Sequence, residues 1–267
     1  MIAAGVVLTG FGIAAIHLAH LRQNALLLDP VRRRAAIELP YDGAAMVIML
    51  TTFLVGIFYC LDTLYGERRD RSILFWKSLP VSDLTAVLAK ALVPLAILPL
   101  FTFVVVEGTQ LAMLVVSSIA LLPSGLSGTT WSNLPYCRMA VILGYALATM
   151  VLWQAPFYAW LLFVSSWARR APFLWAVLPW LGACAVEKLA FNTTYLARML
   201  GRRVFGNTEA AFAIVNYPHG TIVPTVDRLG QLDPVRFLTS PGLWLGFILA
   251  GAFLAGAIQF RRSRGPL

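Results

Sequence analysis

Charged side chains are scarce in this sequence of 267 residues. Asp, Glu, Lys and Arg make up 12% of the chain, whereas 59% of it is hydrophobic. Soluble domains carry about a quarter charged residues and about half apolar ones. A chain with so few polar groups cannot cover the surface of a soluble particle. The sequence therefore excludes an ordinary soluble domain and predicts a protein that crosses a lipid bilayer through apolar helices.

The chain also lacks the residue patterns on which common enzymes depend. No GxxxxGK[ST] loop is present to hold nucleotide phosphates, and neither HExxH nor GxSxG occurs. The three histidines form no motif. The three cysteines, Cys60, Cys137 and Cys184, lack metal-ligand spacing, so we expect unpaired, buried thiols. The sequence thus predicts no catalytic residue, no metal site and no cofactor on this chain.

Long apolar runs recur along the sequence, and a helix needs about 20 apolar residues to cross a bilayer. We predict an all-α fold with one transmembrane domain over residues 1–267. Its six predicted spans are at about 2–21, 44–61, 87–121, 139–167, 172–186 and 241–260. Residues 22–43 are predicted to be a loop, with or without a short surface helix. Residues 188–240 are predicted to be a long external loop that contains a short helix at 195–204.

A charged and aromatic segment, residues 63–82, follows the second predicted span. Charges open it, aromatics fill it and Pro80 ends it. It is either an interfacial loop or a protein-docking element, in which apolar anchors stand within a charged rim. Ser82 is predicted to cap the next helix. The candidate docking residues are Glu67, Arg68, Arg69, Asp70, Arg71, Ser72, Phe75, Trp76, Lys77, Leu79 and Pro80.

Polar residues also interrupt the predicted spans. The run at 87–121 is too long for one crossing unless it protrudes or breaks, and Glu107 and Gln110 lie within it. A carboxylate inside a membrane usually faces a helix-bundle interior or water. Alternatively, the helix breaks there and Glu107 reaches the interface. The candidate residues of a substrate pathway are Glu107, Gln110, Trp153, Gln154, Phe157 and Tyr158. For the aromatic members, helix packing or an interfacial belt is the competing interpretation.

The net charge of +9 indicates basic clusters beside the spans rather than a nucleic-acid partner. With six spans, one side of the membrane carries the arginines of segment 63–82, the pair at 169–170 and the tail arginines. The opposite loop, 123–135, contains no Lys or Arg. This bias favours cytoplasmic termini, although the arginines at 32–34 and in loop 188–240 argue for the other orientation.

Residues 64–82 resemble the cytoplasmic segment that follows the second span in bacterial ABC type-2 permeases. Two further stretches are similar to the same family in outline. One is residues 155–162 with the following 165–172, and the other is the final helix with its arginine-rich tail, 243–262. In that family an amphipathic helix usually precedes the first span. Here the first predicted span begins at Ile2, so we expect that element to be lost, shortened or supplied differently.

The resemblance implies an exporter permease in the bacterial inner (plasma) membrane, with both termini cytoplasmic. Segment 63–82 would be the coupling helix, which docks on a separate ATPase. Two ATPase copies would carry ATP and Mg, and a second permease chain, identical or different, would complete the transporter within membrane lipid. The alternative is a membrane enzyme or regulatory protein that acts without ATP. A secondary transporter would usually show repeated halves, and no clear repeat is present.

Overall fold

The computed structural model describes residues 1–15, 30–78, 81–125, 127–128, 131, 134–205, 211–212 and 229–263. Helices dominate these residues, and their only β feature is a single antiparallel bridge between Phe212 and Leu232. Five of the helices are long and apolar enough to cross a membrane. The chain is therefore an all-α, multi-pass membrane protein. At the first predicted span, 2–21, the structure describes the shorter apolar helix Ile2–Ala14, and residues 16–29 lie outside the described part.

The helices are numbered here in chain order. They are α1 (Ile2–Ala14), α2 (Pro30–Arg69), α3 (Ile73–Ser78), α4 (Asp83–Leu92), α5 (Leu98–Leu121), α6 (Tyr136–Trp167), α7 (Pro172–Phe191), α8 (Tyr195–Phe205), α9 (Pro234–Leu238) and α10 (Pro241–Ser263). A π-helical turn, Val93–Ile97, joins α4 to α5, and 3-10 turns occupy Leu122–Ser124 and Leu229–Gln231.

Helix α2 corrects the prediction of a loop at residues 22–43, because the helix already begins at Pro30 and continues through Pro40. A proline inside a helix removes one backbone hydrogen bond. Packing compensates for it here, since Ile37, Tyr41 and Ala44 around Pro40 are all buried in one apolar cluster. Tertiary contacts thus outweigh the local signal of a polar, proline-bearing stretch.

The long third run does not break at Glu107. It forms one continuous helical stretch, Asp83–Ser124, of 42 residues. At about 1.5 Å per residue this is roughly 60 Å, twice the thickness of a bilayer's hydrocarbon core. The irregularity lies at the π-helical turn, which contains Pro94. A proline lacks the N–H that an α-helical turn requires, so a widened turn is a common way to accommodate it.

The described chain divides into two compact units. Unit 1 comprises 1–53, 100–145 and 214–231, of which part is described. Its apolar core contains Ile37, Tyr41, Ala44, Met113, Leu114 and Leu134. Polar contacts support this core: the Tyr41 and Ser117 hydroxyl oxygens are 3.3 Å apart, and Arg138 pairs with the buried Glu38 at 3.2 Å.

Unit 2 comprises 54–99, 146–213 and 232–267, again in its described part. Aromatic rings from three helices pack together in it. Trp160 of α6 lies 5.6 Å from Trp180 of α7 and 5.2 Å from Phe253 of α10, between ring centroids. Phe163 packs so closely on Gly256 of α10 that a Cβ there would lie 2.7 Å from the ring. Gly256 therefore permits the close approach of α6 and α10.

The cysteines match the prediction only in part. All three are unpaired, and Cys60 is buried, but Cys184 is half-buried and Cys137 is exposed. The expectation of burial is wrong for Cys137, because the side chain at the second position of α6 points away from the packed core.

Candidate functional site

The predicted docking segment begins where α2 ends. Arg71 adopts a left-handed backbone conformation, with φ 59°, two positions after the last helical residue, Arg69. The Asp70 N–H still donates to the Gly66 carbonyl at 2.8 Å, and the Arg71 N–H donates to that of Arg68. A left-handed residue is a common helix terminator because it lets the last carbonyls be satisfied while the chain turns away. The short helix α3 follows this turn.

The predicted cap of the next helix is confirmed. The Ser82 hydroxyl accepts a hydrogen bond from the Thr85 N–H at 3.1 Å, and Asp83 occupies the first turn of α4. This arrangement satisfies one of the amide groups that a helix N-terminus leaves without an intrahelical partner.

Four charged side chains meet beside the last turn of α2. We call them the charge cluster: Glu67, Asp83, Lys90 and Arg261. Glu67 accepts from Lys90 at 2.7 Å through one oxygen and pairs with Arg261 at 3.1 Å through the other. Arg261 also contacts Asp83 at 3.0 Å. Their side chains are only 4–23% exposed. Two carboxylates balance two cations, so the cluster is neutral although it is largely buried.

The charge cluster connects the ends of three helices within unit 2. Glu67 belongs to the last turn of α2, Asp83 and Lys90 to α4, and Arg261 to the last turn of α10. Lys90 also donates to the backbone carbonyl of Thr63 at 2.9 Å and contacts its hydroxyl at 3.1 Å. Removing a charge from water is costly unless partners and hydrogen bonds replace the lost hydration. The ion pairs supply partners of opposite charge, whereas within the residues that the structure describes the buried Glu67 Oε2 and Arg261 Nη1 make no hydrogen bond beyond their 3.1 Å ion pair.

A second set of contacts fastens the end of α2 to the end of α6. Arg68 is buried and donates to the carbonyls of Ser165 at 3.0 Å and Ala168 at 2.6 Å. The Ser165 hydroxyl donates to the Leu61 carbonyl at 2.8 Å. A cation beside the last carbonyls of a helix also complements their partial negative charge. The base of the docking segment is thereby fixed to a fourth helix.

The docking segment itself combines buried and exposed positions. Ile73 is buried, whereas Leu74 and Phe75 are 56% and 62% exposed. Arg69 and Asp70 form an exposed ion pair at 3.0 Å, and the Ser72 hydroxyl lies 3.5 Å from the Glu67 carbonyl oxygen. Trp76 and Lys77 belong to α3, but their side chains are not among the described parts, and Leu79 and Pro80 lie outside the described residues.

The sequence-predicted docking residues are therefore of two kinds. Glu67 and Arg68 point into unit 2 and hold the base of the segment, while Arg69, Asp70, Arg71 and Phe75 are exposed. Sequence reasoning missed Asp83, Lys90 and Arg261 as partners of Glu67. A signal was present, since a lysine within an apolar run usually has an anionic partner. The identity of that partner depends on contacts between residues far apart in the chain.

The predicted pathway residues fall into separate units. Glu107 and Gln110 belong to unit 1. The Tyr136 hydroxyl donates to the backbone carbonyl of Glu107 at 3.3 Å, and the Gln110 amide donates to that of Tyr41 at 3.3 Å. Among the described residues, the buried Oε1 of Glu107 has no hydrogen-bond partner.

The remaining pathway residues lie in unit 2, and two of them hold α8. The Trp153 indole N–H donates to the Arg202 carbonyl at 2.8 Å, and the Gln154 amide donates to that of Val204 at 2.6 Å. These carbonyls belong to the last turn of α8, where a helix leaves them without intrahelical partners. Phe157 packs on Tyr158 with ring centroids 5.9 Å apart. Trp153 and Gln154 thus cap α8 from the side of α6.

The described residues contain no group of three or more His, Cys, Asp or Glu side chains that could hold a metal ion. The fold and the site together define the class of protein: a multi-pass helical membrane protein with a neutral, largely buried charge cluster beside a short helix on which Leu74 and Phe75 are exposed. No protein-family model matches the chain, and neither a curated protein nor a solved structure does.

Proposed function

We propose that this chain is the permease subunit of an exporter that is driven by a separate ATPase, the function that its resemblance to ABC type-2 permeases implies. The observation that carries the proposal is the position of α3. This helix presents two large apolar side chains, Leu74 and Phe75, outside a base fixed by the charge cluster and by Arg68. Exposed apolar anchors within a charged surround are typical of protein interfaces.

The contacts below α3 suit the transmission of movement. A force on α3 reaches α2 through the turn at Arg71, and from α2 it reaches α4 and α10 through Glu67. Arg68 passes the same displacement to the end of α6. In the proposed transporter, two ATPase subunits bind ATP and Mg and push on this segment. A second permease chain, identical or different, completes the substrate pathway.

The proposed location is the bacterial inner membrane, with the termini and α3 on the cytoplasmic side, where ATP is available. The end of α2, the start of α4 and the end of α10 all contribute to one cluster. An ATPase that docks beside this cluster would therefore act on several helix ends at once. Binding of nucleic acid is not part of the proposal.

Co-purification tests the proposal. The tagged chain is expressed in its own host, and the ATPase that is recovered per chain is measured. Phe75→Asp places a charge where an apolar anchor is proposed, and loss of an anchor costs about 2–4 kcal/mol. We therefore expect ATPase recovery to fall at least tenfold, while size-exclusion chromatography shows an unchanged folded chain.

The matched control is Val235→Asp, which adds the same charge at a comparably exposed apolar position on α9, 71% exposed. ATPase recovery with this variant should equal that of the unmodified chain. Equal recovery with Phe75→Asp would show that α3 is not the docking element.

A further inference from the structure

Helix α8 lies immediately after a candidate span. Helix α7 spans Pro172–Phe191, and the chain turns at Asn192, which adopts a left-handed conformation with φ 51°. Helix α8 begins at Tyr195. A chain that has just completed a crossing is at the boundary between the hydrocarbon core and the headgroups. The short connection therefore holds the start of α8 at the level of the headgroups.

Both ends of α8 are fixed. At its N-terminus the Glu187 carboxylate accepts from the backbone N–H groups of Tyr195 at 2.7 Å and Leu196 at 2.9 Å, and from the Thr193 hydroxyl at 2.7 Å. At its C-terminus Trp153 and Gln154 bind the last carbonyls. The helix therefore presents its outer face in a set orientation, which reduces the entropy lost when a ligand binds.

Arg203 strengthens the attachment at the C-terminal end. Its guanidinium lies 4.2 Å from the centroid of the Trp153 ring and donates to the carbonyls of Trp153 and Gly242. Gly246 of α10 packs directly against it. Burial lowers the pKa of Arg203, because desolvation disfavours the charged form. An arginine remains protonated at neutral pH even so, so this residue adds a positive charge to the region.

The charge of this region is one-sided. Residues 188–205 contain Lys188, Arg198, Arg202 and Arg203 and no Asp or Glu. None of these four cations belongs to an ion pair in the described part of the chain. The neighbouring carboxylate, Glu187, accepts from the backbone of α8 and also attracts Arg198. Four cations beside one carboxylate leave an excess of positive charge, so the surface of α8 attracts anions.

The exposed face of α8 combines these cations with apolar groups. Tyr195 and Met199, 68% and 53% exposed, are one helical turn apart. Arg198 and Arg202, both exposed, are also one turn apart and border the same stripe. The Arg198 guanidinium lies 5.0 Å from the centroid of the Tyr195 ring. Helices with arginine beside aromatic and apolar side chains are typical of the interfacial region of membranes.

We propose that α8 is a binding site for anionic phospholipids, in which Arg198 and Arg202 bind the headgroup phosphate. Tyr195 and Met199 lie at the boundary with the acyl chains. Guanidinium groups suit phosphate because their planar N–H donors match its oxygens. Lipid binding at α8 requires no ATPase, so its test is independent of the proposed transport function.

Hydrogen exchange measured by mass spectrometry on the full chain in nanodiscs tests this proposal. The readout is the exchange of peptides that cover 192–205, as phosphatidylglycerol replaces phosphatidylcholine in the disc. We expect phosphatidylglycerol to slow exchange in α8. Each basic residue contributes about 1 kcal/mol to attraction by an anionic surface. Arg198→Gln with Arg202→Gln should therefore raise the phosphatidylglycerol needed for half-protection by about 30-fold, or beyond the accessible range.

The matched control is Arg169→Gln with Arg170→Gln, an exposed arginine pair at the other end of α7. It should leave the exchange of α8 as in the unmodified chain. Arg198→Lys with Arg202→Lys keeps both charges and should retain most of the protection. Equal exchange in both lipids would overturn the proposal, and so would protection that survives Arg198→Gln with Arg202→Gln. If inorganic phosphate protected α8 in phosphatidylcholine discs, the site would bind free anions and the proposal of a lipid site would be overturned.

Discussion

Glu67→Gln removes the charge at the centre of the charge cluster and leaves the side chain almost unchanged in shape. The variant takes away the carboxylate that Lys90 and Arg261 share, at 2.7 Å and 3.1 Å. Both of these cations are largely buried. Removal of one partner from a buried ion pair costs about 3–5 kcal/mol, because the other charge stays buried without compensation. Thr63 and Asp83 each retain a contact with one cation. We therefore expect the lower end of this range, about 3 kcal/mol.

Reversible denaturant unfolding of the purified chain in detergent micelles measures this loss. A double-mutant cycle with Lys90→Gln then separates the pair from the rest of the cluster. If the two residues stabilise each other, the double variant should lose less stability than the sum of the single variants. Coupling energies between contacting residues are about 0.5–3 kcal/mol.

Asp70→Asn is the matched control, since it removes a carboxylate three positions away that pairs with Arg69 at 3.0 Å. Both side chains of this pair are more than half exposed. Exposed pairs contribute little because water and salt screen them, so we expect no measurable change. If Glu67→Gln and Asp70→Asn give the same unfolding midpoint, the inference that burial makes the charge cluster important for stability is refuted.

Two further predictions concern the backbone. Gly256→Ala should destabilise the chain by about 1–3 kcal/mol, because its Cβ would lie 2.7 Å from the Phe163 ring. Gly251→Ala on the same helix is the control and should leave the stability unchanged, because a Cβ there meets nothing within 4 Å. Equal unfolding midpoints of these two variants would contradict the close packing of α6 and α10. Ala171→Gly should stabilise the chain by about 0.5–1 kcal/mol, because Ala171 adopts a left-handed conformation, φ 48° and ψ 63°, that disfavours a Cβ. A lower melting temperature would show that the added freedom of glycine in the unfolded chain outweighs that relief.

The features that depend on residues close together in the chain could be predicted from the sequence. The Ser82 cap and the short helix near 195–204 were predicted and are present, as Ser82 with Thr85 and as α8. Both depend on local chemistry: an N-cap hydroxyl in one case, and an amphipathic pattern in the other. Apolar runs likewise indicated a multi-pass helical protein, because a span requires a long apolar helix.

The features that depend on contacts between residues far apart in the chain could not be predicted from the sequence. The polar sequence around Pro40 predicts a loop, but burial of Ile37 and Tyr41 keeps that stretch helical. The charge cluster joins Glu67 to Lys90 and Arg261, and no spacing in the chain specifies that meeting. Trp153 and Gln154 are predicted to line a pathway because they are aromatic or polar within a span. Their partners are carbonyls about fifty positions along the chain.

Helix α10 has contacts of unlike character at its two ends. Near its start, the Gly242 carbonyl and Gly246 hold the Arg203 guanidinium, and near its end Arg261 holds Glu67 and Asp83. The nineteen positions from Gly242 to Arg261 make a rod of about 28 Å. A rotation or axial slip of this rod changes both attachments together. In the proposed transporter, a headgroup bound at α8 and a load on α3 would therefore act on opposite ends of one helix.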